Sequence, residues 1–308
     1  MAFHEVDALR RLCGDDLFDG SVRPDEPMAN HTTYRIGGPA QFFIETESAA
    51  ALSQVLDICK QENLPWVVIG QGSNLLVSDA GFAGVVIALG RDFKQCSYDE
   101  ERGCFVAGGA LRLSSIVKDA LKRSLTGFEF AAGTPGTLGG ALRMNAGSRG
   151  EWLGKQVVSV TTLSPTEGLK CYEHRDIVWE YRRSSIPADQ VIVACVLRAT
   201  PGNDGRIRSK MEDLLKRRRS GQPLRYPSCG SVFKNPEGES AGALIEAVNL
   251  KGCVVGGAQI SDLHANFIVN KDHASARDVK ALIDLAQSKV KETYGIELTP
   301  EVRFLGFA

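Results

Sequence analysis

Leu52, Val55, Leu56 and Cys59 recur at the i, i+3, i+4, i+7 spacing of one helix face, which predicts an amphipathic helix over 48–64 that stops before Pro65. Short β-branched runs at 66–69 and 85–89, both bounded by glycine, predict two strands, and the turn-rich stretch 70–79 joins them. A strand around Phe105 and a helix over 113–123 come next, then a second glycine-rich run and strand-like stretches at 157–163 and 191–197. Residues 206–219 predict a charged helix with Ile207, Met211, Leu214 and Leu215 inward, broken by Gly221 and Pro223, which places a boundary near residue 200. Beyond it lie a helix at 241–248, a strand at 267–269 and the clearest helix signal of the chain. That helix opens with the capping pattern Ser275-x-x-Asp278, lines Val279, Leu282, Ile283, Ala286 and Val290 along one face, and stops at Gly295. A closing strand is expected at 301–305, and the whole reads as an α+β mixture without internal repeats.

The chain has 308 residues, room for about two domains of roughly 100–200 residues each. Lys plus Arg number 36 and Asp plus Glu 37, a formal charge of −1, so no global positive field exists to hold a nucleic acid or an anionic membrane, and a polyanion must be gripped locally. With 43% hydrophobic and 24% charged residues and no long uncharged apolar run, the composition is that of a soluble protein. Residues 1–13 mix Glu5, Asp7, Arg10 and Arg11 among their apolar positions, which is not a secretory signal, so a cytoplasmic location is expected. The eight cysteines are scattered without a CxxC pair and read as reduced thiols.

Glycine changes the picture. It numbers 32 residues, and the excess is concentrated in two runs, 70–84 and 133–150, where backbone must approach something closely. In the first, Gly70, Gly72 and Ser73 directly follow a strand and can aim amide N–H groups and a hydroxyl at a phosphate; a plain hairpin-like turn is the alternative. The run is neither GxGxxG nor GxxxxGK[ST], which disfavours a Rossmann or P-loop site. The second, Gly133 to Gly147, holds five glycines, a proline and two threonines and reads as ligand-contacting backbone, and one dinucleotide stretched between the two runs explains why there are two.

Other polar groups stay open at this level. Arg182 is an exposed strand-end charge or a site residue, Ser231 a turn residue or a site residue, and Glu301 a solvated neighbour of Pro300 or a site residue. Cys229 has no evident His partner for nucleophilic chemistry. The basic run 216–219 is a solvated helix end or, through Arg219, a pyrophosphate contact. His264 reads as a packed residue, and no His/Glu spacing suggests a metal site.

Taken in order, six segments resemble the UDP-N-acetylenolpyruvoylglucosamine reductase family: Thr33-Tyr-Arg-Ile-Gly-Gly-Pro39, Gly70-Gln-Gly-Ser-Asn-Leu-Leu76, Gly133 to Gly140 through Met144-Asn-Ala-Gly147, Tyr181-Arg182, Pro227-Ser-Cys-Gly-Ser-Val-Phe-Lys-Asn-Pro236 and Pro300-Glu-Val-Arg-Phe304. The resemblance implies an N-terminal helix over 1–20, a two-part FAD-binding domain of the vanillyl-alcohol-oxidase/PCMH type over 21–203, an α+β substrate-binding domain over 204–300, and a strand over 301–308 returning to the active site. The compact stretch from Arg182 to Ser231 looks like the family's second type, which lacks the tyrosine-loop insertion.

It further implies that NADPH reduces FAD and that the reduced flavin then reduces UDP-N-acetylglucosamine enolpyruvate to UDP-N-acetylmuramate, for peptidoglycan synthesis. Carried over by position, Arg182, Ser231 and Glu301 are the expected catalytic residues: a cation for the substrate carboxylate, a proton donor to the alpha carbon, and an acid kept neutral. Cofactor binding is expected at Tyr34, Gly70, Gly72, Ser73, Asn74, Leu75, Gly133, Thr134, Gly136, Thr137, Gly139, Gly140, Asn145 and Gly147, and substrate binding at Tyr181, Arg219, Lys234 and Asn235, with no metal, nucleic-acid or membrane partner. Gln71, Thr134 and Arg143 depart from the family pattern, and Arg143 leaves the packing of its loop open. A flavin oxidase with the same FAD domain and a nucleotide-binding regulatory module without turnover are the rival readings.

Overall fold

The computed structural model describes residues 7–307. A short helix α1 (Asp7–Arg11) precedes strand β1 (Gly20–Pro27); residues 1–6 of the helix expected over 1–20 lie outside the described residues. Next come β2 (Pro39–Thr46), α2 (Ala49–Gln61), β3 (Trp66–Ile69), β4 (Leu75–Val77) and β5 (Phe82–Leu89). Strands β1, β2, β5 and β3 form one sheet in that order, with β5 parallel to both β2 and β3. Parallel strands covered on two faces need apolar residues at every position, and here alternate positions serve different cores. Phe42, Ile44, Val85 and Ile87 meet Leu52, Val55 and Leu56 of α2, whereas Phe43 and Val86 turn to the opposite face with Met28 and Val77.

The chain continues through β6 (Cys96–Asp99), β7 (Cys104–Gly108), α3 (Leu113–Lys122), α4 (Leu138–Arg143), β8 (Val157–Ser164), β9 (Gly168–Glu173), β10 (Val191–Arg198) and α5 (Asp204–Gly221). The second sheet, in the order β9-β8-β10-β7-β6, is antiparallel throughout. It shares a core with Ile116 and Val117 of α3, Leu138 and Leu142 of α4, and Ile207 and Met211 of α5. By its packing, then, the helix expected to open the second domain at 204 belongs to the first, and the break follows Gly221.

After it come α6 (Ala241–Ala247), β11 (Val254–Val255), β12 (Ala258–Ile260), β13 (Ile268–Asn270), α7 (Ala276–Tyr294) and β14 (Arg303–Leu305). The α7 stripe read from sequence packs on Ala258, Ile260 and Ile268, in a core that also takes Tyr34, Ile36 and Leu76 from the N-terminal part. β14 pairs in parallel with β4, Arg303 opposite Leu75, so the end of the chain lies beside the first glycine run.

The N-terminus of α7 is fixed from outside the helix as well as within it. Ser275 and Asp278 form the expected capping box, and the Asp79 carboxylate accepts from the N–H groups of Ala276 at 2.7 Å and Arg277 at 3.0 Å. Those donors otherwise lack partners, and a carboxylate there also meets the positive end of the helix dipole. Asp79→Ala is expected to lower unfolding stability by about 1–2 kcal/mol with an unchanged denaturant slope, measured by urea titration.

Candidate active site

The two glycine runs face each other across a cavity of about 380 Å³. Their approach leaves no room for side chains. A Cβ on Gly70 would lie 2.3 Å from Thr137 Oγ1, and one on Gly72, whose φ is +59°, would lie 2.1 Å from the carbonyl oxygen of His31. Gln71 ties the runs together: its Oε1 accepts from Gly136 N at 2.7 Å. Thr137 caps α4, its Oγ1 accepting from Gly140 N. Gly70, Gly72, Ser73, Asn74, Leu75, Thr134, Gly136, Thr137, Gly140 and Gly147 all line the cavity.

Four residues expected to touch a cofactor do not line this cavity. Tyr34 is wholly enclosed in the core beside Cys229, so its ring supports the loop that carries Ser231 and does not reach the cavity. Gly133 makes room for Leu215 and Arg218 of α5, and Gly139 for the backbone of Gly109. Asn145, also buried, spends its side chain on the carbonyl of Glu180 at 2.9 Å and the N–H of Gly154 at 3.0 Å.

Arg182, Ser231 and Glu301, 119 positions apart in sequence at their extremes, line the same cavity. Arg182 occupies the second corner of a two-residue turn, between Glu180 and Arg183, which pair as a hairpin. Its Nη1 donates to the carbonyl of Gly147 at 2.8 Å, and its Nε lies 2.9 Å from Glu301 Oε1, a close charge contact without the alignment of a hydrogen bond. Burial pushes the Glu301 carboxyl above the usual carboxylate range, and the charges of Arg182 and Lys234 pull it partly back. Asn74 donates its side-chain N–H to the carbonyl oxygen of Glu301 at 3.0 Å, so that side chain links the first glycine run to the acid.

Tyr181, Lys234 and Asn235 gather outside the cavity lining. Tyr181 is exposed, its hydroxyl accepts from Asn235 N at 3.4 Å, and the Asn235 side chain caps α6 at Ala241 N. Arg219 is exposed and off the cavity, whereas its neighbour Arg218 lines it. A step of one residue turns a helix by about 100°, and Arg218 is the position that shares a face with Met211. Arg218 Nη1 donates to Thr134 Oγ1 at 3.1 Å; burial lowers its pKa, and among the described residues no ion pair with an acid is formed. Arg143, whose packing the sequence left open, donates to the carbonyl oxygens of Ile186, Pro187 and Gln190 at 2.6, 2.8 and 2.5 Å, which accounts for it.

With Arg303, the lining therefore carries four arginines against the single carboxylate of Glu301, in a chain whose formal charge is −1. That is the local grip on a polyanion that the overall charge does not supply. Cys229, with its thiol pushed up to about 12 by complete burial, is no nucleophile. His264 packs on Phe267, and its Nδ1 accepts from Asn266 N. No group of three or more potential metal ligands occurs among the described residues.

Close-approach backbone, a capping hydroxyl and Arg218, which pairs with no acid among the described residues, fit a dinucleotide with a pyrophosphate. Comparison with known proteins agrees. Residues 40–169 match the family model of an FAD binding domain, and residues 222–305 that of the UDP-N-acetylenolpyruvoylglucosamine reductase C-terminal domain, which begins where α5 ends. The UDP-N-acetylenolpyruvoylglucosamine reductase of Heliobacterium modesticaldum is 43% identical over 291 residues, covering 94% of this chain and 92% of that protein. The one from Synechococcus sp. strain CC9311 is 42% identical over 298 residues, covering 94% and 95%. The crystal structure of the Thermus caldophilus UDP-N-acetylenolpyruvylglucosamine reductase (MurB) superposes with a TM-score of 0.80 at 32% identity, covering 93% of this chain and 99% of that one.

Proposed function

The chain belongs to the UDP-N-acetylenolpyruvoylglucosamine reductase family, and from that membership we propose which of its residues carry the reaction. It is an FAD-dependent oxidoreductase of peptidoglycan precursor synthesis, reducing the carbon–carbon double bond of UDP-N-acetylglucosamine enolpyruvate with NADPH to give UDP-N-acetylmuramate. The placement of Arg182, Glu301 and Ser231 around one cavity floored by both glycine runs carries the proposal. Between Arg182 and Ser231 the described elements longer than two residues are β10 and α5 alone, which supports membership of the second type.

Residues 70–75, Thr134, Gly136, Thr137, Gly140 and Gly147 would hold FAD, with Arg218 facing its negative charge. When bound, FAD passes electrons from NADPH to the substrate alkene. The protein must then manage the negative charge that collects on the carbon bearing the carboxylate. Arg182 presents a planar guanidinium to that carboxylate. Glu301 adds no repulsion while it holds a proton, which its burial favours; as the substrate carboxylate takes over Arg182, the pull that keeps Glu301 ionised weakens further. Ser231 donates the proton to the alpha carbon. Lys234, Asn235 and Tyr181, at the rim, would meet the nucleotide-sugar end of the substrate. The same proposal places the enzyme in the cytoplasm, where NADPH and nucleotide sugars are supplied, and gives it no nucleic-acid partner.

The deciding assay is NADPH consumption by the purified yellow protein. Oxidation that requires added UDP-N-acetylglucosamine enolpyruvate is expected; oxidation driven by air and indifferent to that sugar would instead establish an oxidase. A second measurement separates the two adjacent arginines. A charge-assisted hydrogen bond contributes about 1.5–3 kcal/mol, so Arg218→Ala is expected to weaken FAD binding roughly 10- to 150-fold in a fluorescence titration of the apoprotein. Arg219→Ala is expected to leave it unchanged, and equal losses in both variants would overturn the placement.

A further inference from the structure

We propose that Asn266 is a positioning residue of the proton-transfer step, holding the backbone that follows Ser231 at a fixed distance from Glu301. This rests on the reading of Ser231 as the proton donor. Asn266 is buried in the loop before β13, at 4% exposure. Its side chain takes both backbone groups of Phe233: Oδ1 accepts from Phe233 N at 2.9 Å and Nδ2 donates to Phe233 O at 2.8 Å. Its own carbonyl accepts from Val232 N at 2.9 Å. On the other side of the same segment, Val232 O accepts from Glu301 N at 2.7 Å, Lys234 N donates to Thr299 O at 2.9 Å, and Phe233 forms a bridge with Pro300.

The segment 232–234 is thus a central strand in all but length. One edge is the segment bearing Glu301, and the other is a single residue whose amide imitates a strand partner. Phe233 is buried at 2% exposure, so without Asn266 its N–H and C=O would lie unsatisfied in the core, and the strand would shift to find partners. Ser231 is one residue away and Glu301 is bonded to the same backbone, so a shift moves donor and acid relative to each other. A misplacement of about 1 Å costs on the order of 100-fold in rate.

Asn266→Asp keeps the acceptor for Phe233 N and turns the donor into an oxygen facing Phe233 O. With the FAD-loaded protein under anaerobic conditions, flavin reduction by NADPH is expected to stay within about twofold of wild type. Reoxidation by UDP-N-acetylglucosamine enolpyruvate is expected to slow about 100-fold, with a larger solvent deuterium effect. Lowering the pH protonates the buried aspartate and restores an O–H donor, so the slow phase should recover toward acid. His264, the titratable neighbour whose Nδ1 accepts from Asn266 N, is common to wild type and is controlled by the wild-type profile. Asn266→Ala should be slow without acid recovery. Reoxidation at nearly the wild-type rate in Asn266→Asp, or equal slowing of both halves with loss of FAD in both variants, overturns the proposal. The reading it rests on fails separately, if Ser231→Ala reoxidises normally.

Discussion

Ser231→Ala is expected to slow reoxidation of the reduced flavin by UDP-N-acetylglucosamine enolpyruvate by about 10²–10³-fold, while reduction by NADPH proceeds at nearly the wild-type rate. The split follows from where the proton goes. Reduction of the flavin by NADPH asks nothing of a donor aimed at the substrate's alpha carbon, whereas the second half cannot finish until that carbon is protonated. A hydroxyl is a weak acid, but charge collecting on carbon makes a base strong enough to take its proton. The loss should be confined to chemistry because Ser231 carries no part of the fold: the loop is held by Thr33 Oγ1 donating to Ser228 O at 2.7 Å and by the strand-like pairing of Val232 with Glu301. Stopped-flow absorbance of each half-reaction measures the split. Equal slowing of both halves would show that Ser231 serves the flavin instead of the substrate, and unchanged rates in both would remove it from the chemistry.

Most of this site was legible because glycine and helix phase are local signals. Both glycine runs stand out in composition and both floor the cavity. What sequence does not show is a side chain's surroundings where distant parts of the chain set them. The basic run 216–219 offers a cation for a pyrophosphate, but only the phase fixed by Ile207 and Met211 packing under the second sheet turns Arg218, and not Arg219, toward the cavity. Tyr34 was expected at the cofactor, and its ring packs into a core built mainly from residues beyond 229. The same entanglement hid the boundary. Charged and interrupted by Gly221, α5 looks like the start of a new domain, while its few apolar residues close the core of the old one. Asn266 gave no signal, because an asparagine that completes a strand edge 33 positions away resembles any loop asparagine. Arg182 was identified only by its family motif: a tight hairpin is ordinarily announced by glycine or asparagine, and Tyr181-Arg182 contains neither.

That missing glycine makes Arg182 a site where stability and activity should part. Its φ is +57°, the left-handed region at the corner of a turn that favours glycine, and an L side chain there costs roughly 1 kcal/mol. The surroundings keep the strained residue in place through Gly147 O, Glu301 and the ring of Tyr181, 5.1 Å from the guanidinium carbon. Arg182→Gly and Arg182→Ala both remove the guanidinium, so both are expected to lose about 10³-fold in kcat/KM for the enolpyruvyl sugar. They also leave Glu301 without its nearest cation, so the pull that lowers its carboxyl is lost and burial raises it further. Since that consequence is common to both variants, their stabilities differ by the backbone alone. The glycine variant should be more stable than the alanine variant by about 1 kcal/mol, the reverse of the order expected where φ is negative. Urea unfolding of the two FAD-loaded proteins decides it. If alanine matches glycine, the turn is unstrained; if either variant keeps more than about a tenth of the activity, the guanidinium is not the group that receives the substrate carboxylate.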